Sequence, residues 1–559
     1  MPLAWIWPVV LICLPPVRMR CGVGEFTHQR PASGNALSST VTYVQEELVI
    51  LGIDVGTHAA RAVAVAPNGA VRHSDQRPLK LRTPHPGWAE MDPTEILTAT
   101  VDVVREAMSW GRPEAIGLTT MRDSTILWDR ATGAPLHDAI LWMSRQTEAY
   151  TNTWLAEGLE PEVHQRTGLP IQPRFSASKI AWLLDHVPGA RKRAERGELA
   201  VGTVDSWLLS HLTGATHQTD YTNACGTMLF NLHTREWDAE LCEWFGIPPG
   251  LLPTVRPSAH NFGSVEGIPV LAVLGDQQAS LFGQACFTPG SAKYTFGTSG
   301  VLTLNSGEKP ALRKGFTTGV AWGLSVDDVS FEVEGAVPHS GHALQWLHER
   351  LGLIDDLGSL DSHSDNGGVY FVPAFTGLGA PSWDASARGA ILGLSLETQP
   401  SHIARAALES LAYQVRDSID ALDPIAAEVR VDGGAARYDT LCQFLADILG
   451  RPVLRPRTVE MTAVGVAHLA GLGAGVWSGL DQLAELWQED RRFTPAMSVD
   501  RREMLYAGWQ QACRAAQPCF PATEPRTPRT SPTPPRRTPK SPQKSHQRTA
   551  RKTPEQAPR

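Results

Sequence analysis

The 559-residue sequence lacks the residue patterns on which most metal and nucleotide sites depend. Its eight cysteines show no CxxC pair and no metal-ligand spacing, which favours reduced thiols in a cytoplasm over a disulfide framework. It contains no GxxxxGK(S/T) loop, no HRD or DFG set and no HExxH motif. The sequence therefore excludes P-loop NTPases, enzymes of the protein-kinase type and HExxH metalloproteases.

Long apolar runs are also missing, so no segment is expected to cross a membrane. Residues 3–14 are apolar, but Pro8 interrupts them and the positive charges follow the run instead of preceding it. Such a segment is a poor signal peptide and is too short to span a bilayer. We expect residues 1–46 to be an unstructured leader or a non-native start, with a membrane-associated leader as the alternative.

The C-terminal segment, residues 521–559, contains ten prolines, ten Lys or Arg and two Glu, and its largest apolar residue is alanine. Such a composition cannot form a core, so we expect a disordered basic tail. Its charge could attract an acidic partner or nucleic acid, although a dispensable extension is the simpler interpretation. The rest of the chain is long enough for two domains of over 200 residues.

Two similar hairpins are predicted about 240 residues apart. In residues 48–66 an apolar strand is followed by a tight turn at Gly56 and Thr57 and by a second strand. Residues 293–304 repeat this pattern around Gly297 and Thr298. Because glycine lets a backbone approach a ligand closely, successive N–H groups in such turns can bind an anion. The pattern indicates two like domains that hold one phosphate chain, although ordinary Gly-containing turns explain it too.

A carboxylate is predicted at the end of a strand in residues 273–284, VLGDQQASLFGQ. The apolar strand ends at Gly275, and Asp276 opens the helix that follows. Open α/β sheets place reacting groups at such strand ends, so Asp276 is a candidate general base. The alternative is that Asp276 only caps the helix.

Further motifs occur in the order found in one enzyme family. They lie at residues 87–93, 175–182, 219–224, 373–381, 389–394, 402–409 and 431–434. Together with the two hairpins, they make residues 48–517 resemble the FGGY family of carbohydrate kinases. The resemblance implies an α/β fold of two actin-like ATPase (RNase H-like) domains, residues 47–286 and 287–520, with the catalytic cleft between them.

The resemblance, which is greatest to the members that phosphorylate glycerol, also implies a substrate site. The implied contacts are Arg122, Asp123, Trp142, Arg174, Asp276 and Gln277. Three residues depart from the pattern: Asp123 stands in place of Glu, Arg174 in place of Tyr and Val301 in place of Phe. Because a buried cation without a partner is costly, either Asp123 pairs with Arg174 or the substrate carries an anionic or hydroxyl-rich group.

A nucleotide site follows from the same resemblance, with ATP and Mg²⁺ as cofactors. The resemblance implies that Asp54 holds Mg²⁺ through water. The implied phosphate contacts are Thr57, His58, Arg61 and Thr298, and those in the second domain are Gly341, Gln345, Gly434 and Tyr438. Tyr438 occupies a position where the family often has Asn, so we expect it to contact adenine differently, for example by stacking.

Three functions remain open at this point. The first is ATP-dependent phosphorylation of glycerol to glycerol 3-phosphate, with Asp276 as the base. The second is phosphorylation of another polyol, a ketose or a sugar acid, and the third is a weakly active pseudokinase that serves as a sugar-responsive binding module. We expect a cytoplasmic enzyme with a small polyol or sugar substrate, with no nucleic-acid partner for the folded part and no membrane partner. A monomer and a homo-oligomer both remain open.

Overall fold

The structure is a computed structural model that describes residues 48–517, except 215–216, 355–364, 423–424, 426 and 459. The predicted leader and tail lie outside these residues. In chain order the strands are β1 (Ile50–Val55), β2 (Ala59–Val65), β3 (Val71–Pro78), β4 (Glu90–Met91), β5 (Ala115–Thr120), β6 (Ile126–Asp129), β7 (Ala139–Ile140), β8 (Leu199–Gly202), β9 (Gln218–Asp220), β10 (Phe230–Asn231), β11 (Glu236–Trp237), β12 (Thr254–Arg256), β13 (Ser264–Val265), β14 (Ile268–Gly275), β15 (Ala292–Phe296), β16 (Gly300–Gly307), β17 (Thr317–Gly323), β18 (Val329–Val337), β19 (Tyr370–Val372), β20 (Ala390–Leu392), β21 (Val429–Asp432), β22 (Val453–Pro456) and β23 (Glu489–Phe493).

The α-helices, in the same order, are α1 (Pro93–Met108), α2 (Glu148–Ala156), α3 (Glu160–Thr167), α4 (Ser176–His186), α5 (Ala190–Glu195), α6 (Val204–Leu212), α7 (Tyr221–Cys225), α8 (Ala239–Phe245), α9 (Asp276–Gly283), α10 (Gly341–Glu349), α11 (Pro400–Leu422), α12 (Asp439–Leu449), α13 (Met461–Gly473), α14 (Leu480–Leu486) and α15 (Val499–Ala515). Short 3-10 turns lie at Pro249–Leu251 and Gly434–Arg437. None of the helices in the described part combines the length and the apolar character that a bilayer crossing requires.

Two large mixed sheets organise the chain. The first, in the order β13-β14-β5-β1-β2-β3, belongs to residues 48–286, called here the first half. The second, in the order β17-β18-β16-β15-β21-β22-β23, belongs to residues 287–517, the second half. The predicted domain boundary between residues 286 and 287 stays a prediction.

Each sheet is built around the same three-strand unit. In the first half β1 pairs antiparallel with β2 and parallel with β5. In the second half β15 pairs antiparallel with β16 and parallel with β21. Both predicted hairpins are therefore confirmed. Their turns, at Gly56-Thr57 and at Gly297-Thr298, are called here the GT turns, and each follows a strand that also has a parallel neighbour.

Helix α13 joins the second half to the first. Gly465 lies so close to α9 that a Cβ atom would be 1.9 Å from the carbonyl oxygen of Ala279. On the sheet side, a Cβ on Gly52 or Gly117 would lie about as close to the backbone of α13. These contacts require glycine because main chain packs directly on main chain at these positions.

Helix α1 shows how local chemistry determines an element. The sequence predicts a helix over Pro93–Met108 with Asp92 as its N-cap, and the structure confirms both. The Asp92 side chain accepts a hydrogen bond of 2.8 Å from the backbone N–H of Thr94. The buried face of the helix, which includes Ile96 and Val103, packs into the core of the first half.

Candidate active site

Asp276 is the first residue of α9, directly after the buried strand β14. The N-cap of this helix is Gly275, so the alternative that Asp276 serves as the cap is wrong. One carboxylate oxygen accepts a 2.8 Å hydrogen bond from the N–H of Gln277, and the Nε of Arg122 lies 3.4 Å from the same oxygen. The Asp276 side chain keeps 30% of its surface exposed, so it remains accessible to a small molecule.

Withdrawal from water raises the pKa of the Asp276 carboxyl. Arg122 opposes this rise in pKa, and the negative charge of Glu334 adds to it. Burial likewise raises the pKa of Asp54 to about 7, against the attraction of Arg61 and with a further contribution from Asp276. The carboxyl groups of Asp54 on β1 and Asp276 after β14, two strands that flank β5, therefore bind protons more readily than ordinary aspartates.

Arg122 follows the fully buried strand β5 and is itself almost entirely buried. Its guanidinium forms an ion pair with Glu334 and lies 3.8 Å from Glu332, both on β18 of the second half. With Asp276 as a third partner, Arg122 connects the proposed base to the opposite half of the protein. The sequence predicted Arg122 as a substrate contact but not these acidic partners.

Arg174 pairs with two acids instead of projecting as a free cation. Its Nε lies 3.0 Å from Oδ2 of Asp123, and its other end lies 3.0 Å from Oε1 of Glu334. Asp123 has φ 65°, in the left-handed region that aspartate tolerates better than most residues. The first of the two predicted alternatives, pairing of Asp123 with Arg174, is therefore what the structure contains.

Trp142 connects the predicted substrate wall with the first GT turn. Its indole N–H donates a 3.1 Å hydrogen bond to the hydroxyl of Thr57. The Arg174 guanidinium lies 5.9 Å from the centre of the Trp142 ring, within cation–π range. Predicted substrate and phosphate residues thus lie side by side here.

Gln277 contacts Lys293, a cation that was not predicted from the sequence. The side-chain oxygen of Gln277 accepts a 2.7 Å hydrogen bond from the ammonium group of Lys293, which also donates to Thr295 at 2.7 Å. Lys293 is fully buried in β15, and burial lowers its pKa although Asp432 and other acids oppose that effect. Lys293 thus brings a positive charge from the second half towards Asp276.

In the first GT turn, the N–H of Gly56 donates to the carbonyl of Ala59 at 3.0 Å. His58 is exposed, and its carbonyl oxygen accepts a hydrogen bond from the N–H of Leu79. Arg61 forms an ion pair with Glu460 of the second half. The roles predicted for His58 and Arg61 in phosphate binding stay predictions, and the positive charge of Arg61 is already shared with an acid.

The second GT turn contacts the start of α10. The Gly297 carbonyl accepts from the N–H of Gly341 at 2.9 Å, and that of Thr298 accepts from His342 at 3.2 Å. Gln345 lies one turn further along α10, where its amide donates to Glu349 at 2.7 Å. The structure therefore brings Thr298 and Gly341 together and places Gln345 on the same helix.

Gly434 opens the short turn after β21, and space is free around it. Its neighbour Gly433 has φ 85°, and a Cβ there would lie 2.6 Å from the carbonyl of Phe296. Tyr438 needs a correction: only 5% of it is exposed, it packs in the core of the second half, and the Arg437 guanidinium lies 5.0 Å from its ring centre. Its ring is not available for stacking on adenine because neighbouring side chains cover it.

The acidic residues of β18 were missed because they contact Arg122 over more than 200 residues of chain. Hydrogen bonding joins Arg122 and Glu334 at a separation of 212 residues. A signal was present, since Glu332 and Glu334 alternate with apolar residues in a strand that is buried. Buried carboxylates are rare unless paired, and that rule would have predicted cationic partners for them.

The carboxyl groups present fit a hard divalent cation. The negative charge of Asp276 adds to the raised pKa of Asp54, and a cation bound at Asp54 would offset that repulsion. The described residues contain no group of three or more His, Cys, Asp or Glu that could hold a metal by themselves. Proteins often bind magnesium through one or two carboxylates together with water and substrate phosphates.

The fold and the site define the class of this protein. A repeated sheet unit with a GT turn in each half, and an accessible aspartate at the start of the helix that follows a buried strand, describe a kinase of two actin-like ATPase domains. The chain belongs to the FGGY family of carbohydrate kinases: the N-terminal domain of that family matches residues 49–283, and its C-terminal domain matches residues 292–474. This result confirms the predicted fold class and enzyme class.

Proteins similar to this chain include glycerol kinases of several organisms. A glycerol kinase of Citrifermentans bemidjiense is 47% identical over 485 residues, which cover 83% of this chain and 98% of the relative. A glycerol kinase of Stenotrophomonas maltophilia is 46% identical over 488 residues, with the same coverage of both chains. The crystal structure of Plasmodium falciparum glycerol kinase with ADP matches with a TM-score of 0.80 and 31% identity, over 85% of this chain and 99% of that one.

Proposed function

We propose that this enzyme transfers the terminal phosphoryl group of ATP to a hydroxyl of glycerol, giving glycerol 3-phosphate and ADP. The observation that carries the proposal is the position of Asp276, a carboxyl of raised pKa at the end of β14, 3.4 Å from Arg122 and still accessible. The relatives of 46–47% identity are glycerol kinases, which supports glycerol as the acceptor. ATP use follows from the kinase family.

In the proposed reaction, Asp276 accepts the proton of the attacking hydroxyl. A productive pose places that hydroxyl oxygen about 2.6–3.2 Å from the carboxylate. As the new O–P bond forms, the bond between the transferred phosphorus and the departing ADP oxygen breaks, and the proton remains on Asp276. Arg122 and Trp142 hold the polyol, the first by hydrogen bonds to hydroxyls and the second by contact with its C–H groups.

Asp54 is the residue that would hold Mg²⁺, as proposed from the raised pKa of its carboxyl and its proximity to Asp276. When bound, the ion would neutralise negative charge on the phosphates. Thr57 and Thr298, in the two GT turns, would orient the phosphate chain through hydroxyl and backbone groups.

The charge balance of the pocket favours a neutral polyol. A sugar acid was a candidate because Arg174 needed a counter-charge, but Asp123 and Glu334 already supply it. An anionic substrate would have to approach these two carboxylates, which repel it.

The free cysteines found in the described part, for example the buried Cys225 and Cys286, agree with a reducing cytoplasm, and a cytoplasmic location is proposed on that ground. Formation of a homo-oligomer stays a prediction.

The test is an ADP-release assay with glycerol, erythritol, ribitol, xylulose and gluconate at equal concentrations. We expect the highest kcat/KM with glycerol and little or no turnover with gluconate. A higher kcat/KM with another acceptor would show that this acceptor, and not glycerol, is the preferred substrate. Absence of turnover with all five would support the pseudokinase alternative and contradict the proposal.

A further inference from the structure

Two acidic side chains of the second half project towards the proposed substrate site. Glu332 and Glu334 are two residues apart on β18, and successive side chains of a strand point to opposite faces, so both lie on one face. Val333, between them, packs in the core of the second half. Both glutamates are almost completely buried, and both contact Arg122 of the first half.

Glu334 holds two arginines at once. Its Oε2 accepts a hydrogen bond from Arg122, and its Oε1 accepts one of 3.0 Å from Arg174. Each carboxylate oxygen therefore has its own guanidinium partner. Although burial alone would raise the pKa of Glu334, these two cations lower it, so the group stays charged.

Glu332 is in the opposite state although it lies close by. Burial raises the pKa of its carboxyl, and Glu334 adds to that rise, whereas Arg122 at 3.8 Å opposes it. One oxygen of Glu332 accepts a 2.6 Å hydrogen bond from the amide of Gln278, and the other has no hydrogen-bond partner among the described residues. The pKa of Glu332 is therefore raised, whereas that of Glu334 is lowered.

The contacts of Arg122 link Glu334 to the reacting carboxyl. The Nε of Arg122 lies 3.4 Å from Asp276, and this nitrogen makes no well-aligned hydrogen bond within the described chain. The other end of the guanidinium is bonded to Glu334. Glu334 therefore holds Arg122 in a position where it is close to Asp276 without forming a full hydrogen bond with it.

We propose that Glu334 is a positioning residue: it holds Arg122 and Arg174 at the substrate pocket and prevents Arg122 from pairing fully with Asp276. The proposal rests on the proposed function, in which Asp276 is the base. Glu334 belongs to the second half and both arginines to the first, so the substrate site is complete only when the two halves are in contact.

Glu334→Gln tests this proposal because it keeps the shape of the side chain and removes its charge. In the variant Arg122 is free to pair with Asp276, and the repulsion between Glu334 and Asp276 is lost. Both changes lower the pKa of Asp276. We therefore expect the acidic limb of the kcat/KM profile to move to lower pH by about half a unit or more, and the KM for glycerol to rise about tenfold or more.

Glu332→Gln is the matched control, since it makes the same exchange two residues away on the same face. The pKa of the Glu332 carboxyl is raised, and this group is not one of the main charges that act on Asp276. We expect the position of the acidic limb to stay within about 0.2 units of that of the unaltered enzyme. A shift of equal size in both variants would overturn the proposal, as would an unshifted limb in Glu334→Gln.

Glu334→Asp provides a second variant should Glu334→Gln fail to fold. Aspartate keeps the charge but is too short to reach both arginines, so we expect a higher KM and an acidic limb close to its original position. An unchanged KM in this variant would overturn the proposal. If the unaltered enzyme phosphorylates no polyol, the proposed function itself is wrong. If the unaltered enzyme is active but the acidic limb of the kcat/KM profile does not move in Glu334→Gln, only the inference about Glu334 is wrong.

Discussion

At Asp276, several charges act on a single carboxyl. Burial and the negative charge of Glu334 raise its pKa, and the nearby cation Arg122 limits the rise. A general base works best when its pKa approaches the working pH, so these contacts convert an ordinary aspartate into a better proton acceptor. A carboxylate with a purely structural role at this position would lower the stability of the protein, because a charge withdrawn from water is costly unless it is fully paired.

The pH dependence of turnover follows from this raised pKa. The base must be deprotonated, so activity is present above the pKa of Asp276 and is lost as the pH falls through it. We expect the acidic limb of kcat/KM to lie clearly above the ordinary aspartate value of 3.8, measured from about pH 4 to 9. Because a cation bound at Asp54 would keep that carboxyl charged, the profile is measured at saturating Mg²⁺, where the limb reports the titration of Asp276. A limb at or below 3.8 would contradict this assignment.

Asp123→Asn tests the charge balance around Arg174. Asparagine tolerates the left-handed backbone of this position and keeps the shape, but removes one of the two negative partners of Arg174. We expect the KM for glycerol to rise several-fold and gluconate to become a better competitive inhibitor than it is of the unaltered enzyme. Ser382→Ala, a change distant in sequence and outside this ion-pair group, should leave the KM and the inhibition constants alone. Weaker inhibition by gluconate would show that the charge balance around Arg174 does not determine substrate specificity.

Among the elements, α13 depends most directly on residue size. Its Gly465 lies against the backbone of α9, the helix that begins with Asp276, and this close packing fixes where α9 lies. The rigid contact explains how a base on the first half keeps its position relative to residues of the second.

Gly465→Ala should therefore destabilise the protein. The added methyl would lie 1.9 Å from the carbonyl oxygen of Ala279, so the two helices would have to separate. We expect the free energy of unfolding to fall by about 1–3 kcal/mol, measured by urea denaturation. The control is Gly250→Ala, at an exposed turn with no atom within 4 Å of the new Cβ; it should change stability by less than about 0.5 kcal/mol. Equal effects of the two substitutions would contradict tight packing at α13.

Elements with strong local signals could be predicted from the sequence. Helix α1 follows from its cap at Asp92 and its apolar period, and both GT hairpins follow from β-rich runs around a glycine turn. The pairing of Asp123 with Arg174 was one of two alternatives. The sequence indicates that Arg174 needs a counter-charge, but it does not show whether a side chain or the substrate supplies that charge. The contact between Arg122 and Glu334 was out of reach, since only the folded arrangement of the two sheets brings these distant residues together.

For the whole molecule, the central claim is that two halves of similar design bring a phosphoryl donor and a polyol together at one base. The first half supplies Asp276 and Arg122, and the second supplies Glu334 and Lys293. Contacts between the halves thus form part of the substrate site and do not merely hold it together. Closure that excludes water would protect ATP from hydrolysis in such an arrangement.

The most direct test of this claim is the turnover of Asp276→Asn with saturating ATP and glycerol, together with its affinity for ADP. Asparagine keeps the shape of the side chain but cannot accept the proton, so we expect kcat to fall by about 10²–10⁴-fold while the Kd for ADP changes less than about threefold. A variant that keeps more than about a tenth of the original kcat would contradict the account, because the proton would then leave by a route that does not involve Asp276.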